Sequence, residues 1–332
     1  MVLAAARPPA CAPEAGDAIV NDGLASSFRL LPPGASSLSD RVDLLFTTML
    51  VLTALVALGV FATIAFLAVR YRHGAGVSRG IVGRRFGIEL AWTLLPLLLF
   101  IAIYAWAAHD FLLLYEPPRD ALPVYVVAKQ WMWKLQHAAG RREINELHVP
   151  LGQPVRLVMV AQDAIHSFYV PAFRIKQDVL PGRYISLWFT ATQLGEFHLF
   201  CAEYCGSEHS QMVGRVVVVT PAEYARWLAD GDAEPGLVQY GFARFRQLGC
   251  SGCHSPGSPV AAPSLRGLLG RDVHLADGRT VVADENYVRD SILLPSRDLV
   301  AGFSPVMPSF AGQVSEEDLQ ALIAYIRSGS PP

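Results

Sequence analysis

Two nearly unbroken apolar runs, Leu44 to Val69 and Ile88 to Tyr115, limit what this chain can fold into more than any other feature. Each exceeds the roughly 20 residues an α-helix needs to cross a bilayer. A buried core helix is the alternative for either run, but such length without an interior charge favours the membrane. Glu89, His109 and Asp110 lie near the ends of the second run, where charge reaches an interface. Pro96 inside it predicts a kink, which membrane helices tolerate when neighbours satisfy the freed backbone groups. Between the runs stand Arg70, Arg72, Arg79, Arg84 and Arg85, with no acidic residue. The positive-inside rule makes that loop cytoplasmic and puts both chain ends outside.

At 332 residues the chain has room for about two or three domains. Its hydrophobic fraction of 52% is concentrated in the two runs, and a net charge of −2 offers no electrostatic case for nucleic-acid binding. Residues 1–42, rich in Ala, Pro, Gly and Ser, read as a flexible tail. Pro-Pro-Ala-Cys11 is faintly similar to a lipoprotein cleavage site, without the apolar stretch that should precede one; an ordinary cysteine in a tail is the plainer reading. Residues 43–115 form a transmembrane hairpin. From 116 to 220 the pattern turns to short branched and aromatic runs: Val124–Val127, Val155–Val160, Tyr184–Phe189, Glu196–Phe200 and Val213–Val219. Turn signals separate them, as in a sandwich or barrel. His198 alternates within a strand and reads as packing or surface, while His137 and His148 read as lying in polar connections. Residues 221–236 read as a linker, and 237–332 as a further domain.

The chemistry is concentrated in Cys201-Ala-Glu203-Tyr-Cys205-Gly-Ser-Glu-His209-Ser-Gln-Met212. Two thiolates, an imidazole and a thioether favour copper over hard cations. Two cysteines four apart can share two metal ions by bridging, and Asp163-Ala-Ile-His166-Ser-Phe supplies a further imidazole. Two histidines, two cysteines, a methionine and a backbone carbonyl suit a binuclear copper centre for electron transfer. Zinc, which usually takes four ligands, or a disulfide between Cys201 and Cys205, is the alternative; neither accounts for Met212.

This loop, with Asp163-Ala-Ile-His166-Ser-Phe, Lys176-Gln-Asp178-Val-Leu-Pro181-Gly182-Arg183 and Gln130-Trp131-Met132-Trp133, resembles the CuA domain of cytochrome c oxidase subunit II. The resemblance runs from the apolar segments to about Thr220. It implies a cupredoxin-like Greek-key β-barrel with copper held by His166, Cys201, Cys205, His209, Met212 and the backbone carbonyl of Glu203. It also implies a magnesium ion near the Glu203 carboxylate at the contact with the catalytic subunit, Trp131 at the electron-entry face, and Glu89 at the mouth of a proton path. Plainer readings are a structural tryptophan and an interfacial glutamate offsetting Arg84 and Arg85 or placed well at a helix N-terminus.

A second redox signature follows, Cys250-Ser-Gly-Cys253-His254. Cys-x-x-Cys-His is the attachment sequence of c-type haem, with two thioethers and a proximal histidine; Cys-x-x-Cys alone also serves zinc and thiol chemistry. A helical stretch from Gly236 to Gly249 leads in, with Tyr240, Phe242 and Phe245 available to face a haem. Val306-Met307-Pro308 follows. The chain ends in a helix opened by Ser315-Glu-Glu-Asp318, a capping-box pattern, with Leu319, Leu322, Ile323 and Ile326 on one face. The order resembles an all-α class I cytochrome c domain with Met307 as sixth ligand, and His/Met ligation raises the haem potential.

Fusion of the two domains resembles subunit II of caa(3)-type oxidases, in the haem–copper oxidase superfamily. That resemblance implies a multidomain protein of the bacterial cell membrane whose metal domains lie on the extracytoplasmic side. A soluble cytochrome c or equivalent donor would reduce haem c, and electrons would pass through CuA to the catalytic haem–copper subunit, subunit I, which reduces oxygen and pumps protons. A CuA subunit of a nitric oxide reductase and a free-standing membrane-anchored electron carrier or copper-delivery protein are the alternatives. Two spans argue against a mere anchor, since one would suffice.

Overall fold

A computed structural model describes residues 31–77, 83, 85–230 and 235–329. Cys11, Arg79, Arg84 and part of the expected linker lie outside the described residues. Both apolar runs are helices, α1 (Ser39–Arg70) and α2 (Phe86–Tyr115), and α2 continues through Pro96. Their mean hydropathies reach 2.6 and 2.1, and their apolar side chains are exposed along most of their length. They are long and apolar enough to cross a membrane, and so large an exposed apolar surface needs lipid or protein to cover it. Arg41 near the start of α1 pairs with Asp110 in the last turns of α2 at 3.3 Å. Arg174 grips Asp43 through Nε and Nη2, at 2.6 and 2.9 Å, tying the start of α1 to the β-domain.

Two five-stranded sheets follow. The first contains β1 (Leu122–Lys129), β2 (Met132–His137), β3 (Arg142–Ile144), β5 (Pro154–Ala161) and β8 (Ile185–Thr190), in the order β3-β2-β1-β5-β8. The second contains β4 (Glu146–Pro150), β6 (His166–Val170), β7 (Ile175–Val179), β9 (Gly195–Cys201) and β10 (Val213–Val219), in the order β4-β10-β9-β6-β7. Alternation sends Val124, Val126, Leu135 and Leu157 inward to meet Leu147, Phe168, Leu199 and Val216 in one core. Trp133, fully buried, meets Phe168 edge-on at 5.2 Å. Within the expected tail, Ala35 and Leu38 are buried in this same core, and the Ala35 amide donates to Ala172 O at 2.8 Å. Apolar burial offsets the entropy of ordering that segment.

Part of the expected linker is also structured. Helix α3 (Pro221–Ala229) starts from a capping box between Thr220 and Glu223. Its Trp227 stacks on His148 at 4.5 Å between ring centroids, and the Arg141 guanidinium lies 4.2 Å from its ring. His137 and His148 therefore correct the sequence reading: they stand on β2 and β4, not in polar connections. Glu143 holds His137 Nε2 at 2.8 Å and His148 Nδ1 at 2.6 Å, and Tyr224 O–H meets His137 Nδ1 at 2.8 Å. The polar stretch that looked like a loop is a short hairpin whose charges satisfy one another.

The C-terminal domain comprises α4 (Leu237–Gln247), α5 (Ser251–His254), α6 (Glu285–Leu293) and α7 (Glu316–Arg327), with a small hairpin of β11 (Asp272–His274) and β12 (Thr280–Val282). That hairpin is an addition to the all-α expectation. Helix α7 opens with the expected capping box between Ser315 and Asp318, and Leu319, Leu322, Ile323 and Ile326 are buried. Helices α4 and α7 cross at Gly241, where a Cβ would lie 2.0 Å from Ala321 O. Only glycine permits so close an approach.

Candidate functional site

Strand register builds the first site. Pairing of Phe168 with Cys201 brings β6 alongside the end of β9, so His166 stands next to the loop leaving Cys201. The loop returns through a short 3-10 turn, His209–Gln211, before β10 begins at Val213. Within it Cys201 Sγ and Cys205 Sγ are 3.8 Å apart. His166 Nδ1 lies 3.9 Å from Cys201 Sγ, and His209 Nδ1 lies 3.5 Å from Cys205 Sγ. Met212 Sδ is 3.9 Å from Cys205 Sγ, and Glu203 O is 3.3 Å from Cys201 Sγ. All six expected copper-ligand residues thus converge, with Cys201, Cys205, His166 and Met212 buried and the Glu203 side chain exposed. The thiols are free, so the disulfide reading is set aside.

Electrostatics ask for a cation here. Burial opposes ionisation of Cys201, but hydrogen bonds with His166 and with the backbone of Glu203 and Ser167 bring its thiol down to about 6. Burial and the charge on Cys201 push the Cys205 thiol up to about 12. Two thiolates so close cannot both ionise without bound positive charge. The donor set is soft and largely buried, supplied by two strand ends and the loop between β9 and β10, which fits copper.

Asp163, quoted in the sequence motif without a role, positions the site. Its Oδ1 lies 2.9 Å from His166 Nε2, leaving Nδ1 for the thiol side, and its Oδ2 accepts from the Gln130 amide at 2.8 Å. Gln130 Nε2 in turn donates to Cys205 O at 2.7 Å. Beside it Trp131 packs on the loop: a Cβ at Gly206 would lie 3.0 Å from Gln130 Nε2 and 3.3 Å from the Trp131 ring, and φ there is +129°. Partners that orient a metal-binding histidine matter nearly as much as the ligand itself. The Asp-x-x-His spacing was the available signal for Asp163; the Gln130 and Gly206 contacts had none.

The second site is a crevice of about 270 Å³ whose lining includes Cys250, Cys253, His254, Met307, Phe245 and Phe310. His254 Nδ1 lies 3.0 Å from Pro263 O. A carbonyl only accepts, so Nδ1 carries the proton and Nε2 keeps its lone pair for a ligand. Burial pushes the Cys250 thiol up, which keeps it protonated beside the crevice. An apolar crevice carrying two thiols, an imidazole and a thioether fits a covalently held haem. Of the three aromatics expected to face it, Phe245 does. Tyr240 instead donates to Asp318 Oδ1 at 2.8 Å, and Phe242 lies exposed against Tyr325. Glu89 is remote from both sites, in the first turn of α2, where Thr93 Oγ1 donates to its carbonyl at 2.9 Å.

Two apolar helices, a cupredoxin-like β-domain and a helical C-terminal domain define a membrane-anchored protein with an extracytoplasmic domain. Residues 25–108 match the family described as cytochrome c oxidase subunit II, transmembrane domain; residues 125–220 match its periplasmic domain; residues 238–330 match cytochrome c. Cytochrome c oxidase subunit 2 of Alkalihalophilus pseudofirmus is 28% identical over 299 residues, covering 84% of each chain. That of Thermostichus vulcanus is 30% identical over 259 residues, covering 61% of this chain and 79% of its own. The solved periplasmic domain of subunit II of cytochrome oxidase of Bradyrhizobium japonicum is 30% identical, covering 34% of this chain and 95% of its own, with a TM-score of 0.33. The chain belongs to the cytochrome c oxidase subunit II family, with a cytochrome c domain at its C-terminus. Membership implies CuA copper, and the cytochrome c domain implies haem.

Proposed function

We propose that the chain is the electron-entry subunit of a haem–copper terminal oxidase, receiving electrons from a soluble cytochrome c or equivalent donor and delivering them to subunit I for oxygen reduction. The convergence of Cys201, Cys205, His166, His209, Met212 and the Glu203 carbonyl carries this reading. Haem and copper supply the one-electron couples. Cys250, Cys253, His254 and Met307 would hold the haem, and the Pro263 carbonyl fixes the His254 tautomer. Cys201, Cys205, His166, His209, Met212 and the Glu203 carbonyl would hold the copper. Asp163 keeps His166 turned toward the thiols. Burial excludes water from Cys205 and Met212, which limits reorganisation on electron transfer.

Helices α1 and α2 span the bacterial cell membrane as a hairpin, with the loop between them cytoplasmic and both metal domains outside. Glu89 then sits at the cytoplasmic face, the side that supplies protons, and serves the mouth of a proton path into subunit I; a carboxyl at that depth needs water or a partner. The exposed Glu203 carboxylate is free to help hold magnesium against subunit I. Trp131 passes electrons into the copper loop, a role supported by its packing against Gly206.

The test is purification of the intact complex. It should contain covalent haem c, an electron paramagnetic resonance signal shared over two copper nuclei, and cytochrome c-driven oxygen uptake. Cys205→Ser should abolish the shared signal while leaving haem c attached. A single blue-copper spectrum, stoichiometric zinc, or nitric oxide in place of oxygen as the consumed gas would overturn it.

A further inference from the structure

The cytochrome domain is seated on the outer face of β1 and β5. Tyr125, Val127, Val158, Val160 and Tyr184 of the β-domain share one apolar core with residues of the cytochrome domain, including Leu237 and Ala321. Domains joined by a linker move relative to one another unless their interface is large and apolar. Here β1 is apolar on both faces and both are covered. Polar ties frame the contact. Lys134 pairs with Glu317 at 3.0 Å, and Glu285 bridges Arg156, at 2.8 Å, and Arg327.

Helix α6 has two working faces. Tyr287, Val288, Ser291 and Ile292 line the haem crevice. Asn286 and Arg289 meet the turn before β8: the Tyr184 amide donates to Asn286 Oδ1 at 2.7 Å, and Asn286 Nδ2 donates to Tyr184 O at 3.2 Å. The Arg289 guanidinium, paired with Glu316 at 2.6 Å, lies 3.8 Å from where a Gly182 Cβ would be. That turn runs straight on from β7, whose Val179 is the register partner of His166. Leu180 O also accepts from the Ala161 amide at 3.1 Å, at the end of β5 just before Asp163. One short segment therefore touches helix α6, which walls the haem crevice, and both the strand end that carries His166 and the end of β5 two residues before Asp163.

We propose that Asn286 and Arg289 are positioning residues that lock α6 onto the 180–184 turn, holding the haem crevice at one distance from the copper loop and making this junction the route between the two centres. The proposal rests on the electron-relay reading above. One electron passes, oxidising the haem iron by one unit and reducing the copper pair by one; no bond forms or breaks. A domain locked in place transfers without waiting on motion, whereas a swinging one would be limited by it.

The experiment uses the assembled oxidase with both centres loaded. Pulsed paramagnetic resonance between ferric haem c and the copper signal should give a narrow distance distribution. Light-triggered reduction of haem c should be followed by transfer to copper at a rate insensitive to glycerol and salt. In the double variant Asn286→Ala/Arg289→Ala the distribution should broaden, and transfer should slow by about tenfold or more and become viscosity-dependent, because small misplacements are costly. Haem absorption and the copper signal should not change, and Arg289→Lys alone, with Asn286 intact, should retain most of the parent rate. A broad distribution in the parent protein, or a double variant indistinguishable from it, would overturn the lock. Hydrogen exchange at an amide that neither residue bonds, such as Ala161 with its partner Leu180 O, separates the two ideas, since it needs neither centre: protection lost there in the double variant supports the lock, and protection unchanged sinks it. Absence of the copper signal or of covalent haem from the parent protein counts against the relay reading instead.

Discussion

The copper loop and the haem crevice carry similar soft donors but are built in opposite ways. In the loop the donors already touch: Cys201, Cys205, His209 and Met212 come from one short segment pinned between β9 and β10, and sheet register adds His166. The crevice gathers Cys250, Cys253, His254 and Met307 around a space of about 270 Å³ that their own side chains do not fill. One set of donors is held together by a short loop and a neighbouring strand end. The other is spread around the walls of an apolar crevice.

The sharpest way to break that comparison is to withhold haem. Without haem the apolar lining of the crevice loses its packing partner, so the cytochrome domain should be the one that loosens. Produced as Cys250→Ser/Cys253→Ser, the chain should show rapid amide exchange and proteolysis across α4 to α7 while the sandwich stays protected. Copper removal, by contrast, should leave exchange of β6, β9 and β10 nearly unchanged. Equal loosening of both domains would erase the distinction.

A subtler perturbation falls on Asp163. If the loop is preorganised, its orienting partners should matter for affinity and not for fold. Asp163→Asn should weaken copper binding by about ten- to a hundredfold, read by competition with a chelator, with the melting temperature of the copper-free domain little changed. A large loss of stability with unaltered affinity would mean that Asp163 serves the β1–β2 turn through Gln130 alone.

The smallest effect concerns pH and the seat of the cytochrome domain. Burial pushes the Glu285 carboxyl up, but the Arg327 and Arg156 guanidiniums outweigh it, leaving the group below its ordinary value. A depressed carboxylate contributes stability that is complete above its unfolded value and is lost as pH falls through the folded one. Protection of α6 amides, corrected for the intrinsic pH dependence of exchange, should therefore fall severalfold on acidification below the ordinary carboxylate range, and Glu285→Gln should abolish that response. Exchange within β9 and β10 should not follow the same profile.

Much of this was legible along the chain because its causes are local. Bilayer-length apolar runs, alternating strand residues, a capping box at Ser315 and two short cysteine motifs each act within a few residues. Where the reading went astray, distant partners decided. The Ala35–Leu38 segment looked like tail because its apolar residues are few, yet the sandwich had a place for them. His137 and His148 looked like loop residues because Glu143 and Trp227, which hold them, come from other elements. Phe242 and Phe245 are three apart on one helix, and only packing against α7 decides which meets the crevice.

Ligand type and short spacing are properties of the covalent chain, so the donors, His166 among them, and their order can be read from it. Tertiary structure brings His166 to the loop, through a register between β6 and β9 that neither strand shows. It alone decided that the outer face of β1 is an interface, because an apolar face does not name its partner. The distance between the two centres is likewise a property of contacts such as Asn286 with Tyr184, which lie far apart along the chain and meet only in the folded protein.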